Sequence, residues 1–226
     1  MKTNTKKAIF MVTLIVAFCI FMAVIDGILK AGYFIKSAIK LVLFLILPIV
    51  YSFYDKDLRI KEVFIPDKKG FTLASILCVL VYVIILGGYL LLKDIFDFTE
   101  ITGALTKNIG VTGKNFIIVS LYISFINSLL EEFFFRGFAF INLKRITSRK
   151  FAYLFSAAVF AIYHIAMMIG WFKLDVFLIV MVGLFAGGLI FNYLNERSST
   201  IYPSWLVHMF ANFAINTIGF ILFDII

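Results

Sequence analysis

Residues 71–92, FTLASILCVLVYVIILGGYLLL, form an apolar run without a charged side chain. A helix needs about 20 such residues to cross the hydrocarbon core of a membrane. Further apolar runs occupy residues 8–25, 37–54, 115–143, 151–169, 173–194 and 200–223. The sequence therefore predicts an all-α fold: a polytopic transmembrane helical bundle of about seven helices, with eight as the alternative.

The composition excludes other classes of protein. Of the 226 residues, 63% are hydrophobic and 15% are charged, and the mean hydropathy is +1.05. A soluble domain is about 45–50% apolar and about 25% charged, and disorder needs low hydrophobicity. The long continuous runs also argue against a β-barrel. The net charge of +8 fits basic loops that face anionic lipid, so we expect no nucleic-acid partner.

The positions of the lysines and arginines predict the orientation. They concentrate before the first span and within residues 56–69 and 144–150. Because basic loops favour the cytoplasm, we expect a cytoplasmic N-terminus in a bacterial plasma membrane. The segment 26–40 looks amphipathic and is predicted to lie in the membrane interface. We expect one integral membrane domain, 1–226, with peripheral N-terminal helices over 1–110 and a catalytic core over 115–223.

Rare polar side chains inside the spans indicate a site. Glu131, Glu132 and Arg136 lie in the fourth span, and the two histidines, His164 and His208, lie in later spans. A charge at membrane depth costs roughly 2.5–3.5 kcal/mol and is usually functional. The offsets of Glu131 and both histidines from the nearest basic loop correspond to about 16–21 Å of helix. This common depth predicts one shared site.

Spacing within the helices adds detail. Glu132 and Arg136 are four residues apart, as in a helical ion pair. His208 and Asn212 have the same spacing, so the imidazole and the carboxamide share a face. The sixth span contains Gly183, Gly187 and, directly after them, a further glycine. These small residues predict close helix packing.

Three motifs carry a family resemblance. EEFFFR over 131–136 resembles the E-E-x-x-x-R motif of the CPBP (Abi) intramembrane proteases, FAIYH over 160–164 resembles their F-x-x-x-H motif, and HMFAN over 208–212 resembles their H-x-x-x-N motif. The family includes the type II CAAX prenyl endopeptidases and proteins linked to bacteriocin processing or immunity. All three motifs occur in the family's order.

The resemblance implies an endopeptidase and a role for each site residue. Glu131 and His164 would activate a water for attack on a peptide carbonyl. His208 and Asn212 would donate hydrogen bonds to the oxyanion. Glu132 and Arg136 would support the site as an ion pair, with an exchange of roles between the two adjacent glutamates as the alternative. No cofactor is favoured; the alternative is a zinc ion held by Glu131, His164 and His208.

The expected partners are the lipid bilayer and a hydrophobic or lipid-anchored peptide substrate, which would reach a site that opens toward the cytoplasm. The sequence does not determine the oligomeric state. Two other functions stay open. The chain could be a non-catalytic immunity or binding protein of the same fold. It could also be a proton-coupled transporter, since membrane carboxylates and histidines build proton relays, although no inverted repeat is evident.

Overall fold

The computed structural model describes residues 2–98 and 100–226, and within these ranges the fold is helical without strands. Seven helices among the described residues are long and apolar enough to cross a membrane. They are α1 (Asn4–Leu29), α2 (Tyr33–Tyr54), α3 (Phe71–Leu92), α4 (Phe116–Ile146), α5 (Arg149–Met168), α6 (Leu174–Ser198) and α7 (Tyr202–Leu222). The predicted fold class, an all-α polytopic bundle, is confirmed.

Helix α2 begins earlier than its apolar run predicted. Its extent bears on the prediction that residues 26–40 lie in the membrane interface. Most of this segment belongs to the candidate membrane spans α1 and α2 and does not form a separate interfacial helix. Asp26 is buried at the end of α1, and Lys36 and Lys40 are buried in α2. The ammonium of Lys36 lies 2.9 Å from a carboxylate oxygen of Asp26. The prediction was wrong because paired charges can enter a helix bundle, whereas the amphipathic pattern alone suggested solvated ones.

In the described part of the chain, three π-helical segments interrupt the long helices and a fourth ends α1. They span Ile25–Leu29 in α1, Val42–Ile46 in α2, and Ile123–Asn127 and Glu132–Phe140 in α4. π-helical turns often occur at functional sites. The longest of them begins at the first motif, so the backbone of α4 departs from α-helical geometry directly beside Glu131.

The close contact between α5 and α6 depends on one glycine. A methyl group added at Gly188 would lie 2.9 Å from the Cα atom of Ala157 on α5. The preceding glycines, Gly183 and Gly187, have open space at the same position. The close packing predicted for these three glycines is therefore present at Gly188 and wrong for Gly183 and Gly187, because the sequence does not show which face of α6 meets a neighbour.

An aromatic core fixes α2 against α4. The phenylalanines of the first motif region are fully or almost fully buried. The Phe134 ring stacks on Phe44 of α2, with centroids 4.0 Å apart and an angle of 9° between the planes. Such pairs stabilise by about 0.5–1.5 kcal/mol beyond burial alone. The stack sets the register of α2 relative to α4 and therefore positions Lys40, one turn before Phe44.

Two loops tie the N-terminal helices to the C-terminal half. The loop between α2 and α3 contains a short 3₁₀ helix, Glu62–Phe64. The carbonyl oxygen of Val63 accepts hydrogen bonds from the Thr200 hydroxyl at 2.8 Å and from the backbone N–H of Ile201 at 3.1 Å. A further short helix, Glu100–Ile109, connects α3 to α4. The two halves thus share two hydrogen bonds to one buried backbone carbonyl, one from a hydroxyl and one from a backbone N–H.

Candidate active site

The carboxylate of Glu131 faces both histidines. Its Oε2 atom lies 3.7 Å from Nε2 of His164 and 3.7 Å from Nε2 of His208. The three side chains come from α4, α5 and α7, and all are buried. The predicted convergence of Glu131 and both histidines at one place in the bundle is present in the structure. Oε2 has no hydrogen-bond partner among the described residues.

A tight turn within α5, four residues before the helix ends, orients His164. Its backbone N–H bonds to the carbonyl of Ala161, three residues back, at 3.1 Å. The carbonyl of Phe160 therefore does not accept the usual bond from this N–H, and it lies 2.7 Å from Nδ1 of His164 instead. Because a carbonyl only accepts, Nδ1 carries the proton. In the neutral ring, Nε2 then presents its lone pair toward Glu131.

His208 is held from the opposite edge by Glu132. Its Nδ1 atom lies 3.0 Å from Oε1 of Glu132, and a carboxylate oxygen accepts. The imidazole also stacks on Phe191, with centroids 5.4 Å apart and an angle of 22°. These contacts fix the ring plane and direct Nε2 toward Glu131. The adjacent glutamates thus have different partners: Glu131 faces the ring nitrogens across the site, and Glu132 orients one ring from behind.

The predicted ion pair between Glu132 and Arg136 is present and fully buried. Nη1 of Arg136 lies 3.2 Å from Oε1 of Glu132, and neither side chain is accessible to solvent. The guanidinium carbon lies 4.1 Å from the centroid of the Phe160 ring and 4.9 Å from that of Phe191. A desolvated cation over an aromatic face gains about 2 kcal/mol. Two aromatic rings and a carboxylate therefore surround this charge, and its three nitrogens have no hydrogen-bond partner among the described residues.

Asn212 is buried near the site and contacts α4. Its amide nitrogen donates to the backbone carbonyl of Ile123 at 3.2 Å. One turn later, Asn216 donates to the Ser120 carbonyl at 3.1 Å and to the Ser124 hydroxyl at 2.9 Å. Asparagines thus dock α7 onto the first turns of α4. The amide of Asn212 has a second N–H, so its role as an oxyanion donor stays a prediction.

Sequence reasoning missed Lys40, which belongs to the site. Its ammonium lies 2.5 Å from Oε1 of Glu131 and 2.5 Å from the side-chain oxygen of Asn127. The amide of Asn127 also donates to the same Oε1 atom at 3.1 Å. The ammonium further lies 5.0 Å from the ring centroid of Tyr163. Lys40 comes from the N-terminal helices, and the motifs gave no indication of it.

A zinc ion fits these residues poorly for an electrostatic reason. Glu131, His164 and His208 would supply one oxygen and two nitrogens, which is a common zinc ligand set. However, the other oxygen of the Glu131 carboxylate is already bound to the ammonium of Lys40. A dication at Oε2 would share one carboxylate with a buried cation, and the neighbouring Glu132 already has a cationic partner of its own.

A recess at the bundle's end lies close to the site. It is lined by Asp26 and Lys36 and by Ala166, Met167 and Trp171. Ala166 follows His164 by two residues. This end lies opposite the basic turn between α4 and α5, so it is the outer end in the predicted orientation. Opening of the site toward the cytoplasm stays a prediction.

Residues 113–214 match the family model described as "Type II CAAX prenyl endopeptidase Rce1-like". The resemblance predicted from the motifs is confirmed. The Rce1-like segment covers α4, α5, α6 and the first half of α7, and it contains all three motifs. Lys40 lies outside it. Comparison with curated proteins gave no significant match, and neither did comparison with solved structures.

The family match and the helices together support a coarse assignment. An Rce1-like segment indicates a peptidase of the CAAX intramembrane type. Seven apolar helices among the described residues indicate an integral membrane protein in contact with a lipid bilayer.

Proposed function

We propose that this protein is an intramembrane endopeptidase that hydrolyses a peptide bond with a water activated by Glu131. The observation that carries this proposal is the free Oε2 of Glu131, which faces two imidazole Nε2 atoms at 3.7 Å each. A carboxylate oxygen and two ring nitrogens at this separation leave room for a water that donates to one acceptor and is oriented by another. The Rce1-like family supports the same class of reaction.

The proposed reaction has two stages, attack by the water and release of the amine. The water donates one hydrogen bond to Oε2 of Glu131 and the other to Nε2 of His164. As its oxygen attacks the peptide carbonyl carbon, a proton passes to Glu131 and a tetrahedral oxyanion forms. Glu131 then returns the proton to the leaving amine as the C–N bond breaks. General acid–base catalysis of this kind contributes about 10²–10⁴-fold to rate.

His208 and Asn212 are the proposed oxyanion donors. His208 donates from Nε2 only when both ring nitrogens carry protons, and Glu132 accepts from Nδ1 in that form. Asn212 lies one turn after His208 and has one amide N–H beyond its bond to Ile123. The loss of one such donor typically lowers the rate by about 10²–10³. Glu132 and Arg136 hold this side of the site in place.

We propose that the reaction proceeds without a metal ion. Lys40 already supplies a positive charge to the Glu131 carboxylate, and the mechanism above assigns each proton transfer to a side chain. The substrate class is a hydrophobic or lipid-anchored peptide that reaches the site from the bilayer, and the prenylated peptides named in the family description are the first candidates. A plasma membrane with the N-terminus in the cytoplasm remains the proposed location.

Reconstitution tests this function directly. The full chain is placed in liposomes with a farnesylated, internally quenched peptide that ends in a CAAX sequence, with its unprenylated form, and with a quenched hydrophobic membrane peptide. We expect cleavage of at least one of them, a loss of kcat of about 10³-fold or more in Glu131→Gln, and no effect of 1,10-phenanthroline.

Glu196→Gln is the matched control. Glu196 lies near the end of α6, away from the site, and pairs with Arg149 at the start of α5. This variant should keep the wild-type kcat. Cleavage by Glu131→Gln at the wild-type rate would refute the mechanism. Failure to cleave all three peptides would favour the immunity or binding alternative.

A further inference from the structure

Lys40 forms part of a buried cluster of charged side chains. We name Lys40, Glu131, Glu132 and Arg136 the charge cluster. Lys40 is paired with Glu131, and Arg136 is paired with Glu132. Counted without the histidines, these four side chains carry two positive and two negative charges, so their net charge is zero. Without Lys40 it would carry an uncompensated negative charge in a low-dielectric interior, where unpaired charges are costly.

The surroundings of Lys40 form a built site for an ammonium. The two oxygens at 2.5 Å come from Glu131 and Asn127, and the rings of Tyr163 and Phe44 have centroids at 5.0 and 5.4 Å. The exposed fraction of Lys40 is 2%. Carboxylate, amide oxygen and aromatic faces are the groups that bind a desolvated cation.

The nearest other lysine on α2 has a partner of its own. Lys36, one turn earlier, pairs with Asp26 at 2.9 Å, and both side chains are buried. Its charge is therefore neutralised locally. This leaves Lys40 as the cation that the structure directs at Glu131.

We propose that Lys40 is a positioning residue that takes the electrostatic place of a metal ion. Its ammonium binds Oε1 of Glu131 and thereby leaves Oε2 to face both histidines, as an activated water requires. It also keeps the cluster neutral, so that a divalent cation gains little by binding there. This inference rests on the proposed function for its catalytic part, whereas its electrostatic part is independent of catalysis.

The first test measures the rate at which the full chain hydrolyses the peptide that it cleaves in the liposome assay. Lys40→Met should lower kcat at least 100-fold with KM changed less than threefold, because the substrate does not contact Lys40. Lys40→Ala should regain at least tenfold in kcat with n-propylammonium, which restores the ammonium. The matched control, Asp26→Asn with Lys36→Met, removes another buried pair and should keep kcat within threefold of wild type. An equal loss of kcat in Lys40→Met and in this control would overturn the proposal.

The second test does not depend on activity. The affinity for Zn²⁺ is measured on purified wild type, Lys40→Met and Lys40→Met combined with Glu131→Gln. Lys40→Met should bind Zn²⁺ at least tenfold more tightly than wild type, and the double variant should lose this gain. Equal Zn²⁺ affinity in wild type and Lys40→Met would overturn the proposal.

If the wild type cleaves no peptide, the proposed function fails, and the Zn²⁺ affinities still decide the electrostatic role of Lys40. A protein that unfolds on substitution is recognised by its thermal transition in detergent. Lys40→Gln, which carries no charge but keeps an N–H donor, then replaces Lys40→Met in both tests with the same expected results.

Discussion

The buried pair of Glu132 and Arg136 allows a double-mutant cycle with a large expected coupling energy. At the observed separation of 3.2 Å, an effective dielectric constant of about 20 gives a Coulomb energy of about 5 kcal/mol. The two aromatic rings beside the guanidinium add about 2 kcal/mol. Desolvation of both charges offsets most of this sum, so the pair itself is worth little. A single partner left behind is costly, at about 3–5 kcal/mol.

The cycle compares Arg136→Met, Glu132→Gln and the double variant. Methionine fills the space between the rings, and glutamine still accepts from His208. Each single variant leaves one buried charge without its partner, whereas the double variant leaves no unpaired charge. The single effects sum to about 6–10 kcal/mol, and the double variant should cost no more than about 3 kcal/mol, so we expect a coupling energy of at least about 3 kcal/mol.

The assay is reversible unfolding of the purified chain in mixed micelles. The control cycle uses Arg59 and Glu62, which are 2.9 Å apart and about half exposed, and whose coupling should stay below about 1 kcal/mol. A coupling energy at Glu132 and Arg136 as small as that of the exposed pair would refute the view that the inner pair acts as one buried unit.

Two further predictions concern stability outside the site. Gly188→Ala should destabilise the protein by about 1–3 kcal/mol, because the added methyl group meets the backbone of Ala157; Gly183→Ala, which meets open space on the same helix, should be neutral or slightly stabilising in the same unfolding assay. The hydrogen bond from Lys7 lowers the pKa of Asp57 below its ordinary value of 3.8, so this carboxylate stabilises the fold above that value and loses its contribution as the pH falls through the lower, folded-state pKa. The stability difference between wild type and Asp57→Asn should therefore shrink as unfolding is measured from about pH 6 down to about pH 3, and a difference that grows on acidification would contradict the assignment.

The helices could be predicted from the sequence because hydropathy acts over about 20 residues at a time. The predicted span 71–92 agrees with α3, and the other ends differ by a few residues. The convergence of Glu131 with both histidines was also predictable, because polar side chains at one depth in the membrane avoid lipid and therefore tend to meet inside the bundle.

Lys40 was not predictable from the motifs, although charge accounting offered an indication of it. The first motif places two glutamates and one arginine in the membrane, which leaves one negative charge without a partner. A lysine in a neighbouring span was the missing cation. The sequence does not encode which lysine reaches Glu131, because that depends on the rotation of α2, set by the stack of Phe44 on Phe134. The same limit accounts for the wrong assignment of Gly183 and Gly187 to a close contact.

The pairing of Lys40 with Glu131 joins positions 91 residues apart, and only Glu131 lies within the matched segment 113–214. A chimaera that transplants this segment onto foreign N-terminal helices would thus carry a carboxylate into the bilayer without its counterion. Recombination between relatives is constrained accordingly: the two halves of such a chain must be inherited as a matched set, even though the recognisable motifs all belong to one of them.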